Sequence, residues 1–335
     1  MQQFCLANGL SVRRCGKLVV ATTAADVPVL DELFQRGKRN GVDLQLLSEP
    51  EVREIEPRAR VFERAIFSPS TASVDPAAVM QSLVARARSE GISLRFSEGF
   101  AHVENGIVHS QANAFDVGYF VNCAGLYADK ISHQFGHGLR YRILPFRGCY
   151  LKSTEPAGAF RTHVYPVPDM SWPFLGVHCT ITVDGCMKIG PTASPAFWRE
   201  HYQGLRNISL RELAEVCSLE LRLLMGSKFR FRSLALHELL GSSDAAMVAR
   251  ASKLATGLTT ACFGARTEPG IRAQLLNVAT GQLETDFIVE SDNRSLHVLN
   301  AVSPAFTCAF PIADHVCDEI ERRLGHGGRD PSTLS

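Results

Sequence analysis

The segment YPVPDMSWPFLGVHCT brings together side chains that could do chemistry. Pro166, Pro168 and Pro173 restrict the backbone and exclude regular helix, and the chain then enters a strand bearing His178. A rigid loop that delivers Tyr165 and His178 to one place suits a small polar substrate. The competing reading is a proline-rich connection with a satisfied, buried histidine. Arg272 follows a glycine at the start of a strand in EPGIRAQ, and Arg147 precedes one in PFRGCY. A guanidinium presents a planar fork of donors that matches a carboxylate, although most arginines are solvated and neither of these stands out alone. Two other stretches offer backbone instead. In NCAGLYAD an apolar run ends at Ala124-Gly125, and Gly125 lacks the Cβ that would keep a ligand away; a simple strand-to-helix turn would look the same. In NAVSPAFTCAFPIADHV, Ser303 suits a helix cap and Pro304 a first helical residue. Such a helix start after an apolar strand favours negative charge, unless the helix is an ordinary amphipathic one.

These residues need elements to hold them. CGKLVVATTAAD reads as a strand and turn, and DVPVLDELFQRGKRNG as an amphipathic helix ending at Gly41. SEPEVREIEP carries a capping box at Ser48 and Glu51. Asp75-Pro76 opens a helix with an apolar stripe of Val79, Leu83, Val84 and Ala87, ended by Gly91 and followed by ISLRF as a strand. Asn105-Gly106 predicts a type I′ hairpin turn in FAHVENGIVHS, and DVGYFVNCAG reads as a buried strand. From about Arg140 to Gly257, RGCYLKS, FRTHVYPV, FLGVHCTITV and CMKIGPT predict a mostly antiparallel sheet with a tight turn at Asp184-Gly185. Two helices follow: SLRELAEVCSLELRLLMG, with a second capping box at Ser209 and Glu212, and one over LALHELLGSSDAAMVARASKL. IRAQLLNV, LETDFIVES and SLHVLNA predict strands, and a final helix runs from about Pro304 to Leu324.

Composition excludes several function classes. An apolar share of 45%, a charged share of 21% and a net charge of +1 describe an ordinary globular chain with no field to draw nucleic acid. No run reaches membrane-span length, and the first residues lack the apolar core of a signal peptide. The ten cysteines form no C-x-x-C pair, so no metal site is expected and they read as reduced core thiols in a cytoplasmic setting. The basic residues Arg222, Lys228, Arg230 and Arg232 read as a solvated face or a contact for an acidic lipid or partner.

Taken in order, VNCAGLYAD, PFRGCY, YPVPDMSWPFLGVHCT with IGPTASPAFWREHY, GIRAQ and NAVSPAFTCAFPIADHV resemble the FAD-dependent L-2-hydroxyglutarate dehydrogenase/oxidase family. That family belongs to the wider D-amino-acid-oxidase-like flavoproteins. The resemblance runs from near Gln3 to about residue 324, and YPVPD…PFLGVH is its specific part, since amine-oxidising relatives do not share it as a block. It implies an α/β, two-lobe flavoprotein forming one unit over residues 1–324, followed by a disordered tail at 325–335. Residues of about 70–139 and 258–324 would form a Rossmann-like FAD lobe, and about 10–69 and 140–257 a mostly antiparallel substrate lobe with helices. On this resemblance Ala124 and Gly125 approach the cofactor, Phe100 and Ala101 meet adenine through backbone as far as His102, and Gly270, Ile271, Ser303, Pro304, Ala305 and Thr307 edge the flavin. Negative charge appears at N1 and C2=O when that ring is reduced, which suits a helix start there. Arg147, Tyr165 and Arg272 become substrate-facing, with His178 as the base in a hydride transfer from a 2-hydroxy acid to flavin N5. The electron acceptor would be oxygen or a quinone pool, and peripheral contact of a cytoplasmic protein with the inner membrane is compatible with the resemblance. Family members begin with a strand, G-x-G-x-x-G and helix that grip the pyrophosphate. That unit is not in these residues, and a further helix's worth is skipped between Ala7 and Asn8. The FAD lobe is therefore expected to be incomplete, with an uncovered sheet edge. A truncated gene product, a mis-assigned start or a non-catalytic remnant that binds no FAD would each read this way. Another flavoprotein, acting on a different 2-hydroxy acid, an amino acid or glycerol 3-phosphate, is the competing enzyme reading.

Overall fold

The computed structural model describes residues 1–168, 176–225 and 243–325. Its largest sheet has eight strands, in the order Phe263–Arg266, Leu151–Ser153, Met187–Gly190, His178–Ile181, His163–Pro166, Lys17–Val20, Arg64–Ser68 and Gln45–Ser48. All neighbours pair antiparallel except His163–Pro166 with Lys17–Val20. Side chains alternate across a strand, so one face carries Leu18, Val20, Val164, Cys179, Ile181, Ile189 and Leu151. These pack with Met247, Val248 and Ala251 of the helix Asp244–Ala251 into the main core. The alternate positions, Lys17, His163, Tyr165, His178, Thr180 and Lys188, share the opposite and polar face.

A four-stranded sheet, ordered Ser194–Pro195, Tyr141–Gly148, Gly270–Asn277 and Gln282–Leu283, has an apolar cluster on each side. Leu144, Phe146 and Leu276 pack on Val216 and Leu223 of the helix Leu210–Met225. Tyr141, Ile143 and Leu275 pack on Ala128 and Leu299. A third sheet places Phe120–Asn122 parallel to Ser295–Asn300, and Phe100–Glu104, Ile107–Ser110 and Ala114–Asp116 form a meander. Local chemistry holds these pieces as the sequence predicts. The Glu51 carboxylate accepts the Ser48 N–H at 2.7 Å, Asp75 caps Pro76–Ser89 through Ala77 N–H at 2.9 Å, and Asn105 and Gly106 both adopt positive φ.

Several expectations fail for identifiable reasons. ISLRF forms no strand; Ile92 and Phe96 are 53% and 62% exposed and no strand among the described residues pairs with them. DVGYFVNCAG yields only Phe120–Asn122, at a sheet edge where Val121 is exposed, so the strand is not buried. LETDFIVES is two strands, Gln282–Leu283 and Ile288–Ser291, separated by an irregular stretch. The final helix begins at Ala309, not Pro304, because residues 303–308 form turns whose N–H groups bond back to Val302 and Pro304 carbonyls. Of the helix expected over 234–254, Asp244–Ala251 is described, and it starts at its own cap, Ser243; residues 234–242 lie outside the described residues, as do Lys228, Arg230, Arg232, Pro173 and 326–335. All ten cysteines are free, and Cys5, Cys149 and Cys179 are core thiols, but Cys123, Cys217 and Cys317 are exposed.

One buried ion pair ties the parts together. Arg199 Nη1 and Nη2 donate to the two Asp129 oxygens at 2.8 and 2.9 Å, with side chains 2% and 0% exposed. Asp129 also accepts the Ile143 N–H at 2.9 Å, and Arg199 donates to the Leu126 carbonyl. Glu212, bound to Lys130 at 2.7 Å, takes the Arg199 N–H at 3.1 Å. Removing one partner of such a pair strands a buried charge, so Arg199→Met should lower the unfolding free energy by about 3–5 kcal/mol in urea titrations. Arg199→Met/Asp129→Asn should recover part of that loss; a double variant as unstable as the sum of the singles would deny the coupling.

Candidate active site

Asn122 builds the corner expected to meet a ligand. Its side-chain oxygen accepts the Ala124 N–H at 3.1 Å and its amide donates to the Ala128 carbonyl at 2.8 Å. That amide also donates to His297 Nδ1 at 3.1 Å, while His297 Nε2 faces Ser295 Oγ at 3.1 Å. Burial, together with the neighbouring His137, pushes the His297 pKa down to about 4, so the ring is neutral and can accept. Past Ala124 the chain turns through Gly125 at φ +54, and a Cβ there would meet nothing within 4 Å. The corner is an open backbone cradle, as is Gly270, which also has open space where a Cβ would stand. Gly148 pairs with Gly270 and Arg147 with Ile271. Arg272 pairs instead with Phe146, so the two arginine stems leave opposite faces of their sheet. Arg147 Nε is buried without a hydrogen bond among the described residues, and its charge adds to the burial that lowers the pKa of His201. Burial likewise lowers the pKa of Arg272.

Beyond Gly148 the chain passes into the larger sheet. Cys149 exchanges bonds with Thr192, and the Tyr150 ring packs on Gly190, which pairs with His178. Tyr165 stacks on His178 with ring centroids 4.0 Å apart, and its hydroxyl lies 3.4 Å from Thr180 Oγ1. His178 Nδ1 donates to the Gly176 carbonyl at 2.8 Å, which leaves the lone pair of the neutral ring on Nε2. Burial holds the His178 pKa at about 4; the Gly176 bond opposes this, and the charges of Lys188 and Lys17 add to it. At neutral pH the ring is therefore an unprotonated acceptor.

The remaining expected contacts come from other elements. Phe100 packs on Phe120 and Phe135, and Ala101 falls at a break in the meander register, where its backbone is left out of the pairing. Ser303, Pro304, Ala305 and Thr307 form the turn before the last helix, with Thr307 Oγ1 bonded to the Pro304 carbonyl at 3.1 Å. Asp169 to Leu175, the middle of the proline-rich loop, lies outside the described residues.

Lys17, Lys188, Tyr150 and His163 were not singled out in the sequence. Each lysine sits in a short apolar run (KLVV, MKIG) where a charged residue reads as solvent-facing. Only strand register brings them beside His178. His163 accepts the Ile181 N–H on Nδ1 at 2.9 Å and lies 3.3 Å from Cys15 Sγ through Nε2; burial, with Lys17 nearby, holds its pKa at about 4.

The model of the FAD dependent oxidoreductase family matches residues 1–318. The chain is 35% identical over 350 residues to "L-2-hydroxyglutarate dehydrogenase, mitochondrial" of Nematostella vectensis, covering 96% of this chain and 75% of that protein. It is 30% identical to the L-2-hydroxyglutarate dehydrogenase of Escherichia coli K12, covering 99% and 79%. Among solved structures, the FAD-bound L-alpha-glycerophosphate oxidase of Mycoplasma pneumoniae aligns with a TM-score of 0.70 at 18% identity, over 96% of this chain and 76% of that one. Glycine oxidase of Geobacillus kaustophilus aligns at 0.66 and 16%, over 100% and 78%. These two show the fold.

His163, His178 and His297 are held neutral, with pKa values of about 4 against an ordinary 6.5. Between those values the unfolded chain binds protons that the folded chain refuses, so stability falls as pH drops from about 6.5 towards 4. Urea midpoints measured across that window should decline, and His163→Gln should flatten the decline; an unchanged slope in that variant would place the uptake elsewhere.

Proposed function

The chain belongs to the FAD dependent oxidoreductase family, and from that premise we propose that it is an enzyme oxidising L-2-hydroxyglutarate to 2-oxoglutarate. The observation that carries the chemistry is His178, neutral, buried and tied through Nδ1 so that Nε2 can accept a proton. The ring side of a flavin fits what is present: the open corner at Ala124-Gly125 and the open strand start at Gly270-Ile271 let backbone come close, and the unpaired register at Ala101 leaves backbone for adenine. When bound, FAD supplies the hydride acceptor, N5, for the hydrogen on substrate C2.

The protein's own groups do the rest. His178 takes the hydroxyl proton on Nε2, and the stacked Tyr165 ring fixes the imidazole plane. A guanidinium, Arg272 or Arg147, holds the α-carboxylate, which sets the C2–H bond in one orientation before reaction. The polar face of the eight-stranded sheet is the substrate side in this reading, with residues of about 70–139 and 258–324 as the FAD lobe and about 10–69 and 140–257 as the substrate lobe. The strand Phe263–Arg266 crosses that division, since it pairs with Leu151–Ser153. Oxygen or a quinone pool takes the electrons. No helix among the described residues is long and apolar enough to cross a membrane. Peripheral contact of a cytoplasmic protein with the inner membrane belongs to the same reading.

The purified chain supplemented with FAD should show a bound-flavin spectrum that bleaches anaerobically with L-2-hydroxyglutarate. His178→Ala should keep the flavin while slowing bleaching about 10²–10⁴-fold, the usual worth of a positioned base. Bound flavin that this substrate does not bleach would refute the substrate assignment, and unimpaired reduction in the variant would remove His178 as the base.

A further inference from the structure

Register places two lysines at the ends of one line across the polar face. Lys17 pairs with His163, and Thr180 pairs with Lys188. Val164 pairs with Cys179, which sets His163 opposite Thr180. The row therefore reads Lys17, His163, Thr180, Lys188 across four adjacent strands, spanning about 14 Å at the ordinary strand spacing. The neighbouring row reads Val19, Tyr165, His178, Gly190 by the same pairings. Both long side chains lean towards that second row. Lys17 Nζ lies 5.5 Å from the Tyr165 ring centroid, and Lys188 Nζ lies 4.4 Å from that of Tyr150, which packs on Gly190. The two ammonium groups thus flank the Tyr165–His178 stack from either side.

Neither has a carboxylate partner among the described residues, although burial lowers the pKa of both. Lys152 continues the same row, pairing with Lys188, and makes the contrast: it is half exposed and bound to Asp184 at 3.3 Å. An exposed lysine here has an acidic partner, while among the described residues the two desolvated ones lie against aromatic faces. Desolvated charge without a counter-ion is costly, and two such charges beside a proton acceptor form a ready site for an anion.

We propose that Lys17 and Lys188 form an anion subsite that holds the second carboxylate of a dicarboxylate substrate and so make the site selective for dicarboxylic over monocarboxylic 2-hydroxy acids. The inference deepens the functional reading above and rests on it for the position of the reacting end. With an arginine on the α-carboxylate and His178 on the hydroxyl, the lysines engage the far end of a short chain. A monocarboxylate leaves both half-buried ammonium groups uncompensated, so it is rejected by what it fails to satisfy.

The test uses Lys17→Met, Lys188→Met and the double variant, each with FAD added and each checked for an unchanged melting temperature. Calorimetric titration with glutarate, and with pentanoate as the monocarboxylate of equal length, reads binding without turnover. Each single substitution should weaken glutarate about tenfold or more, the usual scale for losing one charge-assisted contact, and leave pentanoate within about twofold. The preference in kcat/KM for L-2-hydroxyglutarate over L-2-hydroxypentanoate should fall by the same factors. Loss of glutarate binding in the variants, in a protein that oxidises neither acid, would sustain the subsite and overturn the assigned reaction. Oxidation of L-2-hydroxyglutarate with both acids affected alike, or neither, would overturn the subsite and leave the reaction standing.

Discussion

The buried pair between Arg199 and Asp129 is the constraint on which the arrangement depends. Asp129 lies four residues after Gly125, and Arg199 follows the strand that pairs with Phe146 and Arg147. Their bidentate bond fixes the corner of one sheet against the edge of another. The Leu126 carbonyl and the Ile143 N–H are satisfied by the same two side chains, so the backbone on both sides of the corner is held from within. Desolvating two charges has a cost that only good geometry and full hydrogen bonding offset. Here both conditions are met, and Glu212 with Lys130 completes the network at its rim. Gly125 can remain open because the clamp, not its own packing, keeps it in place.

The second organising fact is the two-sidedness of the eight-stranded sheet. One face is apolar and closes on the helix Asp244–Ala251. That leaves the other free to carry lysines, histidines and tyrosines at alternate positions without disturbing the core. Burial then does the electrostatic work. It keeps His163 and His178 neutral and lowers the pKa values of Lys17 and Lys188. A single sheet face thus holds an acceptor for a proton beside donors for negative charge.

How much of this was legible in the sequence follows from which interactions are local. The capping box at Ser48, the Asp75 cap and the Asn105-Gly106 turn were readable because all their partners lie within a few residues. Tyr165 and His178 were readable as candidates because prolines and a strand start frame them. The resemblance of VNCAGLYAD and YPVPD…PFLGVH carried the family, which residues alone left open. What was not legible depended on pairing at a distance. ISLRF has strand composition but no pairing strand among the described residues, and the last helix lost its first turn to bonds that no pattern announces. Arg147 and Arg272 looked equivalent, and only the pairing of Phe146 with Arg272 separates their faces. Lys17 and Lys188 each look like a surface residue until the register sets them in one row.

In the proposed function the Ala124-Gly125 corner meets the flavin and the polar sheet face meets the substrate, and a structure of the protein with FAD and 2-oxoglutarate tests that proposal. The flavin ring should lie beside Gly125 and Gly270, with C2 of the product nearest the His178 ring and its far carboxylate between Lys17 and Lys188. Product bound elsewhere, or flavin away from the Gly125 corner, would contradict it.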